Sequence, residues 1–502
     1  MKILEKYNLE KDNVTGFVSI AESSKDFVMH YIMDIPRFEP ATIAYLDEIK
    51  TKLLQLVSIK PAEAIDPKIS MILKQRFLEK AKELLKKHIS KLDEDRMNFI
   101  AGRLVQQMIG LGDVDLLLED KNLEEICINS AAEPLWVYHK KYGWLKTNIF
   151  VKSEAEILNY ASLIARRIGK NITIKEPLLD AYLSTGDRVN ATLAPVSIEG
   201  NTITIRKFAR VPWTITDYLT LNVLSPEIAA LLWLAVQHEM NIIVAGGTAS
   251  GKTTALNIMS NFIPAQQRII SIEQTRELQL PKFYQWVPLV VREPNQEGRG
   301  GVSMLNLMIN SLRMRPDRII VGEVRRAEEA EVMFEAMHTG HAVMATLHAE
   351  TADQVYRRMT NPPISTPQVL FETLHLVLVM FRDRRTGLRR MYELCELMPA
   401  PMREGKQGGP SLNCLYKWFS LNDTFSKEND SFRIMNELQT FTRMNEQEIR
   451  KDLNNREKVL KWLVENKIRD LDSVSKVLAR YMKNPEDAMH VLSSDNPREL
   501  LR

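Results

Sequence analysis

The stretch NIIVAGGTASGKTTALNIMSNFIP, residues 241–264, constrains the fold of this chain more than any other. Its central part, GGTASGKT, matches the phosphate-binding pattern G-x-x-x-x-G-K-[ST]. The match follows an apolar run typical of a strand and precedes a helical run that Pro264 ends. The alternative is a chance match in a glycine-rich turn, of which roughly a few hundredths of an occurrence is expected in a chain of this length. The strand–loop–helix context favours a phosphate loop.

The chemistry of this loop follows from its residue types. Glycines let backbone N–H groups curl around phosphate oxygens, and the N-terminus of the following helix adds a favourable field for an anion. Lys252 would reach the β- and γ-phosphates of ATP, and the Thr253 hydroxyl would bind Mg²⁺. The predicted nucleotide-binding residues are Gly246, Gly247, Thr248, Ala249, Ser250, Gly251, Lys252, Thr253 and Thr254.

Two later strand-like runs deliver acidic residues. RIISIEQTREL places Glu273 at a strand end with Glu277 beyond it, and RIIVGEV carries Glu323. In the second run, Gly322 stands where a nucleotide-binding strand usually ends in an aspartate that helps to hold Mg²⁺. A hydrolase needs a carboxylate to orient the attacking water, and strand ends beside a phosphate loop are where such acids belong. Either glutamate alone could be a surface residue after a strand, but two in this order favour catalytic roles.

The run MHTGHAVMATLHAETA adds two histidines, His341 and His348. A zinc site is not supported, because no third ligand stands at a suitable spacing. His341 could be a core histidine. His348, at the end of the strand-like AVMATL, could hydrogen-bond a γ-phosphate oxygen or report its loss to a neighbouring subunit.

The rhythm of the chain predicts its domains. The runs NIIVA, RIISI, RIIVG, AVMATLH and LHLVLVMF are typical of a largely parallel sheet that is covered on both faces. We expect this α/β phosphate-loop domain over residues 212–400 and a smaller α/β domain over 93–211. Residues 1–92 are expected to form a largely helical accessory module, with an amphipathic helix over Lys68–Leu92, and residues 401–502 a mainly helical tail.

Composition restricts the classes of function. The 67 basic and 64 acidic residues leave a formal charge of +3, which gives no bulk electrostatic reason to bind nucleic acid or anionic lipid. The N-terminus lacks the apolar core of a signal peptide, and no apolar run approaches the roughly 20 residues that span a bilayer. Cys127, Cys395 and Cys414 lack C-x-x-C spacing, which argues against a zinc site and a disulfide framework and is typical of a reducing compartment.

Four motifs in order, GGTASGKTT, SIEQTREL, LRMRPDRIIVGEVR and TGHAVMATLHAET, resemble those of the secretion-type ATPases. In that family, which powers type II and type IV secretion, type IV pili and the archaellum, they are the Walker A loop, the Asp box, a Walker B strand written with Gly-Glu, and the His box. The upstream runs PLLDAYLSTGDRVNATLAPVS and TITIRKF are similar to the family's preceding domain. VYHKKYGWLKTNI most resembles archaeal members.

The resemblance implies an architecture and partners. Each subunit would pair the N-terminal α/β domain with a RecA-like motor domain in a homohexameric ring that hydrolyses ATP with Mg²⁺. The ring would be cytoplasmic and would dock peripherally on a polytopic membrane platform protein, without binding nucleic acid. Hydrolysis would swing the two domains about a hinge near Arg206–Trp213.

The resemblance also implies roles for individual residues. Glu273 would be the water-activating acid, and Glu323 the Walker B acid, which could also hold Mg²⁺ through water. His348 would be the His-box residue near the γ-phosphate. Arg188 and Arg206 match family arginines that can reach across to the nucleotide like an arginine finger.

Two further arginines are weaker candidates, and two positions depart from the family pattern. For Arg313 and Arg315 a salt-bridging role is at least as good an interpretation as a catalytic one. Gln274 stands where the family usually has aspartate, and Arg326 stands where glycine is frequent. Gln274 keeps hydrogen-bonding ability but loses a charge, so no acid–base role is assigned to it.

The predicted function is therefore an ATP-driven ring motor for assembly of a pilus-like filament or for protein secretion. Two alternatives remain open. The first is a DNA-translocating ring. Its near-neutral charge argues against DNA binding, and so does the lack of a basic tract interleaved with aromatic residues. The second is a catalytically weak scaffold of the same fold, against which the intact set of Lys252, Thr253, Glu273 and Glu323 argues.

Overall fold

The fold is described from a computed structural model. It describes residues 1–502 except 24–25, 37, 57–66, 90–91, 184, 209–210, 295–297, 363, 400–401, 404–405, 408–409, 495–496 and 502. The chain divides into two compact units, an N-terminal unit (1–210) and a C-terminal unit (211–502). Among the described helices, none combines the length and the apolar character needed to cross a membrane.

The described strands of the N-terminal unit form one sheet in the order β1-β2-β3-β6-β5-β4-β9-β8-β7. The strands are β1 (Lys2–Lys11), β2 (Val14–Glu22), β3 (Met29–Asp34), β4 (Leu123–Ile128), β5 (Trp136–His139), β6 (Gly143–Thr147), β7 (Leu178–Tyr182), β8 (Arg188–Thr192) and β9 (Thr202–Arg206). Strand β3 pairs with β6 in parallel, and the other pairings in this sheet are antiparallel.

The expectation of a largely helical module over residues 1–92 is wrong for its first third. Strands β1 and β2 form a hairpin in which Lys11 faces Val14, so only Asp12 and Asn13 make the turn. Both turn residues have positive φ, 56° and 63°, which is the conformation that a two-residue turn between twisted strands requires and that Asp and Asn tolerate. The Asp-Asn pair between alternating runs is the signal that could have predicted these strands.

The helices of the N-terminal unit lie between its strands in the chain. They are α1 (Pro40–Leu56), α2 (Pro67–His88), α3 (Glu94–Ile109), α4 (Val114–Glu119) and α5 (Glu154–Arg167). Phe77, Ala81 and Leu85 recur at helical spacing on α2 and are buried together against α1 and α3. The amphipathic helix expected over Lys68–Leu92 is present but ends at His88. Part of the expected range, 90–91, and the predicted linker residues 209–210 lie outside the described residues.

The C-terminal unit contains the parallel sheet predicted from the apolar runs. Its order is β12-β11-β13-β14-β10-β15-β16-β19-β20, parallel from β12 to β15 and antiparallel beyond. The strands are β10 (Ile242–Gly246), β11 (Arg268–Glu273), β12 (Gln285–Val290), β13 (Arg318–Val321), β14 (Ala342–Leu347), β15 (Leu376–Arg382), β16 (Arg389–Met398), β17 (Met402–Arg403), β18 (Lys406–Gln407), β19 (Ser411–Phe419) and β20 (Thr424–Lys427); β17 and β18 pair separately.

Helices cover both faces of this sheet, which explains why its central strands are apolar throughout. In β10, for example, Ile242 and Val244 enter one core while Ile243 and Ala245 enter the other. The helices are α6 (Ile215–Thr220), α7 (Pro226–Gln237), α8 (Lys252–Ser260), α9 (Met304–Ser311), α10 (Ala327–His338), α11 (Ala352–Thr360), α12 (Gln368–Phe371), α13 (Arg433–Thr442), α14 (Glu446–Glu465), α15 (Leu471–Lys483) and α16 (Pro485–Leu492). The predicted α/β phosphate-loop fold is confirmed.

Residues after 400 do not form a separate compact unit. Strands β19 and β20 extend the same sheet, and α14 packs on α7. The Trp233 ring lies 5.1 Å from the Tyr481 ring, and the buried Arg456 guanidinium lies 4.6 Å from the Trp233 ring centre. The predicted helical character of the tail applies to α13–α16. The predicted domain boundary at residue 400 does not match, because residues on both sides of it belong to one hydrophobic core.

The expectation that the cysteines form no disulfide is also wrong. Cys395 on β16 faces Cys414 on β19, and their sulfurs are bonded. The antiparallel register brings the two residues together, and no spacing rule in the sequence reveals that register. Cys127 remains a free, buried thiol.

Candidate nucleotide-binding site

The phosphate loop joins the carboxyl end of β10 to the first turn of α8. Gly246 has a φ of 152° and lies close to β15, where a Cβ atom would stand 2.5 Å from the Met380 carbonyl oxygen. Gly251 and Ala249 also have positive φ, 94° and 59°. Ala249 is therefore a non-glycine residue in the left-handed conformation, which costs about 1–2 kcal/mol relative to glycine. The loop needs these conformations to turn its backbone toward the start of α8.

Lys252 is the first residue of α8 and is only 8% exposed. Its Nζ atom donates to the Gly247 carbonyl oxygen at 3.0 Å, inside the loop. Burial lowers the pKa of the ammonium, and the carboxylates of Glu323 and Glu277 act in the opposite direction. Thr253 follows in the same helical turn and is partly exposed. A lysine that donates to a loop carbonyl oxygen is well placed to exchange it for a phosphate oxygen.

Two side chains brace the loop from outside, and the sequence did not reveal either of them. Tyr218 on α6 donates its hydroxyl to the Gly251 carbonyl oxygen at 3.4 Å. Arg389, at the start of β16, donates its Nε–H to the Ala249 carbonyl oxygen at 3.2 Å. Because these residues come from distant segments without a motif, only the fold brings them to the loop.

Glu273 ends β11 and is almost fully buried, at 1% exposure. Its Oε1 accepts from the backbone N–H groups of Glu277 at 2.8 Å and Leu278 at 3.0 Å. Its Oε2 is buried without a hydrogen-bond partner among the described residues. Burial raises the pKa of this carboxyl to about 7, against the lowering effect of the two backbone hydrogen bonds. Glu273 therefore lies at the predicted strand end as a group that titrates near neutral pH.

Gly322 explains why the acid of β13 comes one residue late. A Cβ atom at this position would stand 3.3 Å from Glu273 Cγ and 3.4 Å from the Ile272 carbonyl oxygen. A carboxylate side chain at residue 322 would thus compete with Glu273 for the same space. The next residue, Glu323, carries the acid instead.

Glu323 has a partner on each carboxylate oxygen. Arg325 donates from Nη2 to Glu323 Oε2 at 2.6 Å and from Nη1 to Gln274 Oε1 at 2.7 Å. His348, which directly follows β14, places its Nε2 3.4 Å from Glu323 Oε1. Burial lowers the pKa of His348, and the Lys252 ammonium lowers it further while Glu323 raises it. Glu323 therefore lies beside His348 and Arg325, with Lys252 within electrostatic reach of Glu323 and His348.

The two departures from the family pattern have structural explanations. Gln274 is the amide partner of Arg325 described above. Arg326 is the N-cap of α10, with a φ of −113°, which any residue adopts without strain. The backbone N–H groups of Arg325 and Arg326 both donate to Glu329 Oε2. This capping glutamate fixes the turn, so the turn does not need a glycine at residue 326.

The remaining predicted residues lie elsewhere. His341 is only partly buried and lies 3.2 Å from the Thr339 hydroxyl, which does not match the core-histidine interpretation. Arg313 and Arg315 are exposed after α9. In the part of the chain that the structure describes, one group of metal-ligand types is close together, Glu393 with Cys395 and Cys414, and its two sulfurs are bonded to each other.

Arg188 and Arg206 belong to the N-terminal unit, where they are cross-strand neighbours on β8 and β9. Arg188 forms a two-point contact with Asp180, from Nε to Oδ1 at 3.1 Å and from Nη2 to Oδ2 at 2.6 Å. Arg206 is exposed at the end of its strand. The pair therefore presents two guanidinium groups on one patch of the sheet.

The family model described as "Type II/IV secretion system protein" matches residues 148–383. The Type IV secretion system protein PtlH of Bordetella pertussis is 32% identical over 306 residues, 54% of this chain and 89% of that protein. An uncharacterized protein of Methanocaldococcus jannaschii is 34% identical over 268 residues, 52% of this chain and 96% of that protein. The chain belongs to the type II/IV secretion system protein family, and its resemblance to archaeal members is confirmed.

Other similarities are partial. Two longer M. jannaschii proteins, both uncharacterized, are 32% and 42% identical, and this chain spans 66% of the first and 32% of the second, less than two thirds of either. The VirB11 ATPase of the Brucella suis type IV secretion system is 24% identical, with a TM-score of 0.29 over 56% of this chain and 91% of that chain. The pilus retraction motor PilT with bound ADP is 19% identical, with a TM-score of 0.41 over 77% and 97%.

Proposed function

We propose that this protein is a Mg²⁺-dependent ATP hydrolase that works as a homohexameric ring motor. The observation that carries the proposal is the convergence of Lys252, Glu323 and His348 at the carboxyl edge of the parallel sheet, beside a phosphate loop. Family membership supports nucleotide-driven work. The motor would drive assembly of a pilus-like filament or protein secretion by docking peripherally, at the cytoplasmic face, on a polytopic membrane platform protein.

The loop would bind the triphosphate of ATP at the N-terminus of α8. Lys252 exchanges the Gly247 carbonyl for β- and γ-phosphate oxygens, a charge-assisted contact that compensates its burial. The Thr253 hydroxyl and, through water, Glu323 supply the oxygen ligands that Mg²⁺ prefers. Mg²⁺ bound there would neutralise charge on the phosphates. The partly exposed Thr253 in the first turn of α8, next to a buried lysine, fits such a site.

Two carboxylates share the handling of the attacking water. Glu323 is fixed by two partners and orients the water. Glu273, with a pKa of about 7 and one oxygen that accepts no hydrogen bond from the described residues, accepts the proton. A base that titrates near the working pH is effective in proton transfer. His348 hydrogen-bonds the γ-phosphate and registers its loss.

Phosphate release by the purified protein tests this function. We expect hydrolysis with Mg²⁺ that EDTA abolishes, and losses of about 100-fold or more for Lys252→Ala and Glu323→Gln. A Glu335→Gln variant, changed at an exposed helix position, serves as the control and keeps wild-type activity. Hydrolysis at the wild-type rate by Glu323→Gln would contradict the assignment of the site.

Arg188 and Arg206 would act in trans, each on the nucleotide of a neighbouring subunit in the ring. Their place as neighbours on one sheet surface supports a shared role. Mixing subunits tests it: Lys252→Ala subunits lack a working loop, and Arg206→Ala subunits lack the arginine. If the arginines act in trans, mixed rings recover part of the activity that either variant lacks alone. No recovery in rings that contain both variants would contradict the trans role.

A DNA-translocating ring is the second candidate. Relatives named putative conjugal transfer proteins in Mycobacterium tuberculosis are 30% identical over 314 residues, 60% of this chain and 88% of each relative. The formal charge of +3 is small for a protein that binds the DNA backbone in a channel. Double-stranded DNA that raises the rate of hydrolysis several-fold would favour this candidate over the filament motor.

A further inference from the structure

The ends of three adjacent parallel strands are joined by a chain of side-chain contacts. Gln274 follows β11, Glu323 and Arg325 follow β13, and His348 follows β14. Arg325 lies in the middle and contacts both Gln274 and Glu323 at 2.6–2.7 Å. Its side chain is 56% exposed, whereas that of Glu323 is 21% exposed. An exposed arginine therefore holds a more buried carboxylate.

The Glu323 carboxylate is hydrogen-bonded to Arg325 and also lies within electrostatic reach of Lys252. Arg325 binds one of its oxygens directly, and among the surrounding carboxylates Glu323 acts most strongly on the Lys252 ammonium. Arg325 in turn acts on Lys252 as a like charge. A carboxylate released by Arg325 would move toward Lys252, because a buried ammonium attracts an ionised acid strongly at low local dielectric. Such an ion pair would occupy the ammonium that must bind phosphate.

Gln274 suits the task of holding Arg325. A guanidinium group only donates hydrogen bonds, so the amide oxygen must face it. The amide accepts this hydrogen bond without carrying charge, which leaves Glu323 as the charged partner of Arg325 within this group. An acidic residue at position 274 would compete with Glu323 for the same guanidinium.

We propose that Arg325 is a positioning residue that keeps Glu323 away from Lys252, with Gln274 as its uncharged anchor. The proposal rests on the nucleotide-binding function proposed above. It explains why a neutral residue at position 274 is compatible with a working site in this chain. Arg325 acts through Glu323: while it holds Glu323, Lys252 stays available to bind the phosphates of the nucleotide.

Binding of the non-hydrolysable analogue AMP-PNP with Mg²⁺ to the full-length protein, measured by calorimetric titration, tests the proposal. We expect Arg325→Ala to raise the Kd about tenfold, because Glu323 then pairs with Lys252. The double variant Glu323→Gln/Arg325→Ala removes the competing charge and should restore the Kd to within about twofold of wild type. Gln274→Glu should give an intermediate Kd.

The matched control is Arg357→Ala, which removes another exposed arginine, one that pairs with Asp353 on α11. It should leave the Kd unchanged. A double variant that binds as weakly as Arg325→Ala would overturn the proposal, since Arg325 would then contact the nucleotide itself. An unchanged Kd for Arg325→Ala, or a wild-type Kd for Gln274→Glu, would also contradict it. Failure of the wild type to hydrolyse ATP would instead contradict the proposed function, because the binding series does not depend on hydrolysis.

Discussion

Gly322 lies against Glu273 at the carboxyl edge of the sheet, and a side chain between them would be crowded: a Cβ atom would stand 3.3 Å from Glu273 Cγ. The burial of Glu273 and the glycine in place of an aspartate on β13 are therefore linked, because both side chains would need the same space. The acid that strand β13 would customarily supply is displaced to Glu323, where Arg325 and His348 hold it.

The crowding at Gly322 gives the first prediction. Gly322→Ala should lower the free energy of unfolding by about 1–3 kcal/mol and reduce hydrolysis, because the added methyl group displaces Glu273. Gly322→Asp, which restores the customary aspartate, should be more damaging on both counts. Chemical denaturation and phosphate release measure the two effects. An aspartate variant that is as active as the wild type would show that Glu273 does not need this space.

The raised pKa of Glu273 gives the second prediction. Its folded-state pKa of about 7 lies above its ordinary value of 4.5, so the folded protein holds a proton that the unfolded chain releases. Between about pH 5 and pH 7 stability should therefore fall as pH rises, by on the order of 2–3 kcal/mol. Glu273→Gln cannot ionise and should lose this part of the pH dependence. Denaturation at pH 5 and pH 8 measures it, and an equal fall in both proteins would assign the effect to other groups.

The outer brace of the phosphate loop gives the third prediction. Arg389→Ala removes the hydrogen bond to the Ala249 carbonyl and should raise the KM for ATP about threefold with little change in kcat. The reason is that the loop loses support before the nucleotide binds. Arg385→Ala, in the exposed turn of the same hairpin, is the control and should keep the wild-type KM. A fall in kcat at an unchanged KM would indicate a direct role in the reaction.

The bond between Cys395 and Cys414 gives the fourth prediction. Thiol titration of the denatured, unreduced protein should find one thiol, that of Cys127, and reduction should raise the count to three. Reduction should also destabilise the protein by about 3 kcal/mol, since the bridge closes a loop of 19 residues. Three reactive thiols before reduction would show that the two strands meet without the bond.

Sequence patterns predicted what depends on local chemistry and order along the chain. The phosphate loop, the apolar strands buried on both faces, and the placement of Glu273, Glu323 and His348 at strand ends all follow from runs of a few residues. Their assembly into one edge follows from the rule that parallel strands end on the same side. The catalytic roles assigned to these residues stay predictions.

Contacts between distant segments could not be predicted in this way. Arg325 meets Gln274 across 51 positions, and Arg389 meets Ala249 across 140. The pairing of Cys395 with Cys414 depends on an antiparallel register that no spacing reveals. The hairpin at Asp12-Asn13 is different, since its two-residue turn signal is local and lies in the sequence itself.

The most direct test of the central claim is a paired measurement on Glu323→Gln, of ATP binding and of phosphate release in the same preparation. The account predicts that the variant binds ATP at least as tightly as the wild type, because Lys252 keeps its role. It also predicts phosphate release about 100-fold slower or more, because the water is no longer held by a carboxylate. Release at the wild-type rate with intact binding would contradict it.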